Sequence, residues 1–222
     1  MKRGIIVLII ICAAILGMWI TARVMHIIVF YRITSASNSP AITPGQMVTA
    51  SSLKKPAINA FVCFKRRGMS YVSIFRCIAK PGDSVEIRYG DVYVNNRKLD
   101  EPYVWNEYRI TKKQLESIKD DVSKYQYPVY DFDDSLRNIT CSLADMKKYH
   151  FKLRRLTVPR FEADSGMLLS FTKSGYNQDN FGPVKVPQKS WFVLGDNRHN
   201  AYDSRYLGFV KENEIIATVM GK

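Results

Sequence analysis

The polar loop from Gly195 to Val210 carries the residue types that most directly suggest chemistry. Two aspartates and two arginines alternate along it, and oppositely charged side chains at such short intervals can pair and hold a loop rigid. Apolar runs precede and follow it, so we expect a rigid loop between two buried strands, a common way of presenting a site. The alternative is an Asx-type turn with a solvated salt bridge. The candidate residues of this loop are Asp196, Asn197, Arg198, Asp203, Ser204 and Arg205.

A second stretch, the serine loop from Ser35 to Gln46, is rich in small hydroxyl residues. Pro40, Pro44 and Gly45 punctuate it, which indicates an ordered loop rather than a strand. A serine hydroxyl becomes an effective nucleophile only when a base accepts its proton. Taken alone, this stretch is typical of a linker.

Both loops resemble signature boxes of the type I signal peptidases. The last box of that family reads Gly-Asp-Asn-Arg, two variable residues, Ser, one variable residue, Asp-Ser-Arg, then Gly and Val; here Ala201 replaces the first Ser. The nucleophile box reads Ser-Met-x-Pro-Thr-Leu, two residues, then Gly-Asp. It begins here at Ser37, with Asn38 in place of Met, Ala41 in place of Thr and Gln46 in place of Asp.

The resemblance implies roles for individual residues. Ser37 falls on the nucleophile, and Ser35 falls on the hydroxyl that helps to form the oxyanion hole. In the third box of the family, a catalytic lysine and an arginine precede a Pro-Gly-Asp turn. Arg76 and the turn match, but Phe75 stands where the family has its lysine. The family's Ser at the position of Ala201 hydrogen-bonds and orients that lysine, so the base and its partner are both replaced.

Three interpretations follow from this loss. The chain is a degenerate homologue that binds without cleaving, an active protease with a relocated base, or a protein of another function. Lys65 is the candidate for a relocated base, because a hairpin centred near Ser70 would pair Cys63 with Cys77 and Lys65 with Phe75, on one face. That register also raises two alternatives for the cysteines, a disulfide or, as burial favours, two free thiols. We expect His199, at a variable position of the last box, to be exposed to solvent.

The N-terminus predicts a membrane anchor. An uncharged apolar run extends from Gly4 to Ile20, and Thr21 and Ala22 can lengthen it to the span of a bilayer. Lys2 and Arg3 favour a cytoplasmic N-terminus. A cleaved signal peptide is the competing interpretation, but no small-x-small cleavage site is evident. The following β-branched and aromatic run, 24–33, predicts a strand in which the histidine is structural.

The predicted fold is mostly β: an antiparallel signal-peptidase-like sheet with one N-terminal transmembrane helix and an α/β insertion. The boundaries are 1–23 for the anchor, 24–100 and 190–222 for the β core, and 101–189 for a variable cap insertion. Within the insertion, Thr111 and Ser142 are predicted to cap helices. The first carries Leu115, Ile118 and Val122 on one face, and the second extends through His150.

Composition and charge bear on which partners the chain binds. The net charge is +13, but no nucleic-acid-binding motif accompanies it, and basic residues spread along a chain suit anionic lipid headgroups equally well. No Cys-x-x-Cys pair suggests a metal, and no cofactor is implied. The resemblance implies that the partners are signal-peptide-bearing precursor proteins and the lipid bilayer. It places the protein in a bacterial cytoplasmic membrane, with the C-terminal domain on the extracytoplasmic side.

Overall fold

The N-terminal apolar run forms a single long helix. The computed structural model describes residues 2–151, 153–162, 164–167 and 175–221, and helix α1 covers Lys2–Val24. Its stretch Arg3–Val24 is long and apolar enough to cross a membrane, and the rest of the structure buries none of it. The helix therefore matches the predicted anchor in position and length.

The remaining elements follow in chain order. The strands before the insertion are β1 (Val29–Arg32), β2 (Met47–Ser51), β3 (Phe61–Phe64), β4 (Ser73–Ala79), β5 (Ser84–Arg88), β6 (Asp91–Val94) and β7 (Arg97–Lys98). The next elements are β8 (Trp105–Thr111), α2 (Lys112–Ser117), α3 (Lys119–Tyr125), β9 (Val129–Asp131), β10 (Leu136–Ser142), α4 (Leu143–Lys147) and β11 (Arg154–Arg155). The last are β12 (Phe181–Lys185), β13 (Ser190–Leu194), a 3-10 turn (Arg198–Asn200), α5 (Ser204–Leu207), β14 (Val210–Lys211), a second 3-10 turn (Glu212–Glu214) and β15 (Ile215–Gly221).

The described strands form three antiparallel sheets. A seven-stranded sheet has the order β1-β2-β15-β3-β4-β13-β14, and two four-stranded sheets have the orders β11-β8-β10-β9 and β12-β5-β6-β7. The mostly β class with an α/β insertion is thus confirmed. Strand β12 comes from the segment predicted to be the insertion, yet it pairs with β5 of the predicted core, so the two segments share one sheet.

The strand predicted over 24–33 is shorter than expected. Helix α1 continues to Val24, and His26 lies in the turn before β1, with a positive φ of 54°. The carbonyl of His26 accepts a hydrogen bond from the Ser52 amide at 2.9 Å. The physical reason is that the apolar run favours continuing the helix, so only the residues after this turn can join the sheet.

The insertion follows the predicted caps but not the predicted helix lengths. The Thr111 hydroxyl accepts from the Gln114 amide in a capping box, and the Ser142 hydroxyl accepts from the Asp145 amide. The first helix breaks into α2 and α3 at Ile118, which is buried. The second ends at Lys147, short of the predicted end at His150.

The hairpin register predicted for β3 and β4 is wrong. Val62, rather than Lys65, lies opposite Phe75, and Cys63 lies opposite Ile74. All four residues of β3 are buried or half-buried, so the apolar pattern gives no signal for the register. Cys63 and Cys77 are free, buried thiols that belong to different core clusters.

Candidate functional site

The serine loop lies between β1 and β2 and is closed at its base by backbone hydrogen bonds. The Ile33 amide donates to the Gln46 carbonyl at 2.9 Å, and the Gly45 amide donates to the Ile33 carbonyl at 2.8 Å. Gly45 has a φ of +87°, a conformation that glycine adopts without a steric cost. The loop is therefore ordered, as its prolines and glycine predict.

Ser37 lies at the bend of this loop. Its side chain is half-buried, whereas Ser35 is exposed. The Ser35 hydroxyl donates to the Ser37 hydroxyl oxygen at 3.5 Å, a long contact at the limit of a hydrogen bond. This is the only hydrogen bond of the Ser37 hydroxyl among the described residues. Two hydroxyls thus lie side by side, with no base bonded to either of them in the described part of the chain.

Gly195 is the point at which the sequence-predicted site residues meet. A Cβ on this glycine would lie 2.4 Å from the Ala201 Cβ, 2.5 Å from the Ser37 carbonyl oxygen and 3.3 Å from the Phe75 ring. The positions that the resemblance assigns to the nucleophile, the base and the orienting residue are far apart in sequence, and the fold brings all three around one backbone position.

Phe75, at the position that the resemblance assigns to the base, lies in an apolar cluster. Phe75 is 6% exposed and belongs to the same core cluster as Val62, Cys77 and Ala201. Its ring centroid lies 6.2 Å from that of Phe64. None of these side chains accepts a proton at neutral pH, and burial raises the pKa of the Cys77 thiol to about 12, so Cys77 is not a base either.

Two asparagines attach the serine loop to its neighbours. The Asn197 amide donates to the Ser37 carbonyl at 3.0 Å, and the Asn197 side chain donates to the Ala36 carbonyl at 3.2 Å. Asn38, which stands at the position of the family's Met, is buried and donates to the Ile74 carbonyl at 2.6 Å. These bonds fix Ser37 between the polar loop and β4.

The acidic and basic residues of the polar loop are paired and buried, which excludes a solvated salt bridge. Arg205 holds Asp203 through two hydrogen bonds of 2.9 and 2.8 Å, with side chains that are 1% and 0% exposed. Burial alone would lower the pKa of Arg205, but the charge and hydrogen bonds of Asp203 raise it above its ordinary value. The Asp203 carboxylate also accepts from the Gly195 amide at 3.0 Å, and the Ser204 hydroxyl accepts from the Val193 amide at 2.9 Å.

The other two charged residues of the polar loop, Asp196 and Arg198, form ion pairs with residues outside the loop. Asp196 accepts from Arg76 at 2.7 and 2.5 Å, and Arg198 donates to Glu101 at 2.7 Å. The prediction that the two aspartates and two arginines pair among themselves is therefore correct for one pair only. Sequence reasoning missed Glu101 because nothing in its surroundings marks it. Arg76 had a signal, since it matches the third signature box.

One further expectation for this site is wrong, and another loses the register on which it was based. His199 is not exposed: its side chain is 5% exposed, and Nε2 lies 2.9 Å from the Asp179 carboxylate. Burial favours a raised pKa for Asp179, but the hydrogen bond and charge of His199 hold it below its ordinary value. Lys65 is exposed beyond the end of β3, where its amide donates to the Glu214 carbonyl. Because the register differs, β-pairing does not bring Lys65 to Phe75.

The described residues contain no group of three or more His, Cys, Asp and Glu side chains that could hold a metal ion. The arrangement places two neighbouring hydroxyl groups, those of Ser35 and Ser37, on a rigid polar frame. Hydrolysis by Ser37 would in addition require a proton acceptor.

Comparison with known proteins identifies the family of the chain. Residues 3–221 match the family model described as signal peptidase, peptidase S26. The chain is 31% identical over 144 residues to a signal peptidase I of Bacillus amyloliquefaciens, covering 64% of this chain and 44% of that protein. It is 30% identical over 198 residues to a signal peptidase I of Aquifex aeolicus, covering 83% of this chain and 71% of that protein.

One solved structure also matches the chain, at low structural similarity. The crystal structure of a signal peptidase I from Enterococcus faecalis aligns with 75% of this chain and 98% of its own, at 24% identity and a TM-score of 0.38. The match to the Bacillus amyloliquefaciens protein spans less than half of that protein's length. The family model, by contrast, spans nearly all of this chain. The chain therefore belongs to the signal peptidase family, peptidase S26.

Proposed function

We propose that the protein is a membrane-anchored, signal peptidase I-like serine endopeptidase that removes signal peptides from exported precursor proteins. Ser37 is the nucleophile in this proposal, and Ser35 with the Ser37 backbone amide receives the oxyanion. The polar loop holds the serine loop in place. No cofactor takes part.

One observation carries this proposal: the Ser37 carbonyl oxygen, the Phe75 ring and the Ala201 Cβ all lie within 3.3 Å of the point that a Cβ on Gly195 would occupy. The family resemblance assigns these positions to the nucleophile, the base and the residue that orients the base. Their meeting in space supports the alignment residue by residue, and it makes a chance match of isolated motifs a poor explanation.

The proposed location is supported by α1 and by the basic residues at its start. An apolar helix of bilayer length with Lys2 and Arg3 at its start suits an N-terminus in the cytoplasm. The β-rich part would then lie on the extracytoplasmic side of a bacterial cytoplasmic membrane. Precursors emerging from that membrane could reach Ser37 with their signal sequences still in the bilayer.

The residues at positions 75 and 201 favour a second candidate function. A protein with the same frame but without a base can bind signal peptides, or components of the secretion machinery, without cleaving them. Loss of a general base costs roughly 10²–10⁴-fold in rate, while the oxyanion donors and substrate binding are kept. As an endopeptidase, the chain is therefore expected to be slow.

Cleavage of a model precursor separates the two candidates. The full chain in detergent, as wild type and as Ser37→Ala, would be incubated with the precursor, and the products would be identified by mass spectrometry. Cleavage after the signal sequence that is lost in Ser37→Ala supports the endopeptidase. Saturable precursor binding by both proteins, with no cleavage by either, supports the second candidate.

A further inference from the structure

A groove of about 670 Å³ lies beside the serine loop. One wall is the serine loop itself, and the other comes from the insertion. The serine-loop wall consists of Ala36, Ser39, Pro40, Thr43 and Pro44. The aromatic side chains of the opposite wall are Tyr103, Trp105, Tyr125 and Tyr127. A concave, mostly apolar site of this size lies in the range of ligand-binding pockets.

The aromatic wall has a fixed base and exposed faces. Trp105 and Tyr127 are 5% and 4% exposed, and their rings meet edge to face with centroids 5.6 Å apart. Tyr125 stacks on Tyr127 at 5.5 Å, so its ring is held in place although it is 42% exposed. Tyr103 is 37% exposed. Rigid, half-exposed tyrosines provide a large contact area with little loss of side-chain entropy on binding.

The position of the groove relative to α1 indicates which ligand it binds. The end of the sheet near α1 is marked by the hydrogen bond from the Ser52 hydroxyl to the Met25 carbonyl at 2.7 Å. A different groove includes Ala41 and Ile42 of the serine loop in its lining, together with Lys54, which is two residues after Ser52. The described lining of the aromatic groove includes no residue before Ala36, and it reaches into the insertion.

The bilayer fixes the direction in which a precursor would pass Ser37. Its signal sequence begins in the bilayer, so the chain on the amino side of the scissile bond approaches Ser37 from the end of the fold near α1. The chain on the carboxyl side, the start of the mature protein, must leave in another direction. The aromatic groove begins at the serine loop and leads away into the insertion.

We propose that the aromatic groove binds the first residues of the mature protein, in an extended conformation, with an apolar or aromatic side chain against Tyr103 and Tyr125. This proposal rests on the proposed action on signal-peptide-bearing precursors. It adds a substrate preference, for bulky apolar residues shortly after the scissile bond.

Binding of two labelled peptides tests the proposal without requiring cleavage. Fluorescence anisotropy would be measured with the full Ser37→Ala chain in detergent. One peptide ends at the scissile position, and the other continues into a mature segment that contains a phenylalanine. The longer peptide is expected to bind about fivefold more tightly or better. Tyr103→Ala and Tyr125→Ala should remove that advantage, whereas Tyr130→Ala, an exposed tyrosine on β9 outside the groove, should preserve it.

Equal affinity for the two peptides would overturn the proposal, as would equal losses for both peptides in the tyrosine variants. A photoreactive residue in the mature segment gives a second measurement on the unsubstituted groove. Cross-links to 36–44 or 124–128 support the proposal, and cross-links found only elsewhere overturn it. Cleavage by the wild type is scored separately. If the longer peptide binds in the groove but is not cut, the proposed endopeptidase activity is overturned and the proposed role of the groove is retained.

Discussion

The Asn197 amide donates a 3.0 Å hydrogen bond to the Ser37 carbonyl, so the polar loop holds the backbone of the proposed nucleophile directly. Asn197 is 1% exposed, and its side chain donates to the neighbouring Ala36 carbonyl. The rigidity of the polar loop thus sets the position of Ser37. Damage to the pairs or the close packing of this loop should therefore reach the site.

Gly195→Ala should destabilise the protein and disturb the site together. The added methyl group would meet the Ser37 carbonyl oxygen at 2.5 Å and the Ala201 Cβ at 2.4 Å. Backbone has to move, and overpacking of this kind costs about 1–3 kcal/mol. Denaturant unfolding measures the loss. Gly221→Ala is the control, because a methyl group there meets nothing within 4 Å. Equal stability of the two variants would contradict the close packing around Gly195.

Arg205→Ala should be among the most damaging single substitutions in the described structure. It leaves the buried Asp203 carboxylate without its counter-ion, and it removes the hydrogen bond to the Gln178 carbonyl at 3.0 Å. Breaking a buried pair from one side costs about 3–5 kcal/mol. The midpoint of urea unfolding should fall accordingly. Lys119→Ala, in a pair whose side chains are both more than half exposed, should leave it unchanged; similar shifts in both variants would contradict the distinction.

Asp179→Asn should destabilise the protein in a pH-dependent manner. The pKa of Asp179 is held below its unfolded value by His199. The stabilisation is therefore present above about pH 4, the pKa of an unfolded aspartate, and is lost as the pH falls through the folded pKa. At pH 7 the wild type should exceed Asp179→Asn by roughly 2 kcal/mol in unfolding free energy. The difference should shrink toward zero near pH 2; a constant difference would contradict this assignment.

The three buried cysteines should resist alkylation until the protein unfolds. Burial raises the pKa of Cys63, Cys77 and Cys141 to about 12 each, and only the thiolate reacts. In a Cys12→Ser background at pH 8, iodoacetamide followed by mass spectrometry should find little label on the folded chain and three labels in denaturant. Rapid labelling of Cys63 or Cys77 in the folded chain would contradict the burial.

Features encoded locally could be predicted from the sequence. The anchor, the capped starts of α2 and α4, the ordered serine loop and the pairing of Asp203 with Arg205 all depend on residues close in sequence. The bidentate pair, for example, joins residues two apart. The match to the family's signature boxes also predicted that loops distant in sequence belong to one site. The fold brings Ser37, Phe75 and Ala201 together there.

Features that join distant segments could not be predicted. The partner of Asp196 is Arg76, 120 residues away, and the partner of Arg198 is Glu101, 97 residues away. His199 is buried because a separate segment supplies Asp179. The β3–β4 register was missed because both faces of β3 are apolar, so a slip of the strand leaves the hydrophobic pattern unchanged.

The most direct test of the central claim, that Phe75 and Ala201 occupy the place of the base and its partner beneath Ser37, is to restore both. The precursor cleavage rate of Phe75→Lys with Ala201→Ser would be compared with that of the wild type, after unfolding curves show that both are folded. The double variant is predicted to cleave roughly 100-fold faster or more, and Ser37→Ala in that background should abolish the gain. A folded double variant that cleaves no faster than the wild type would contradict the claim.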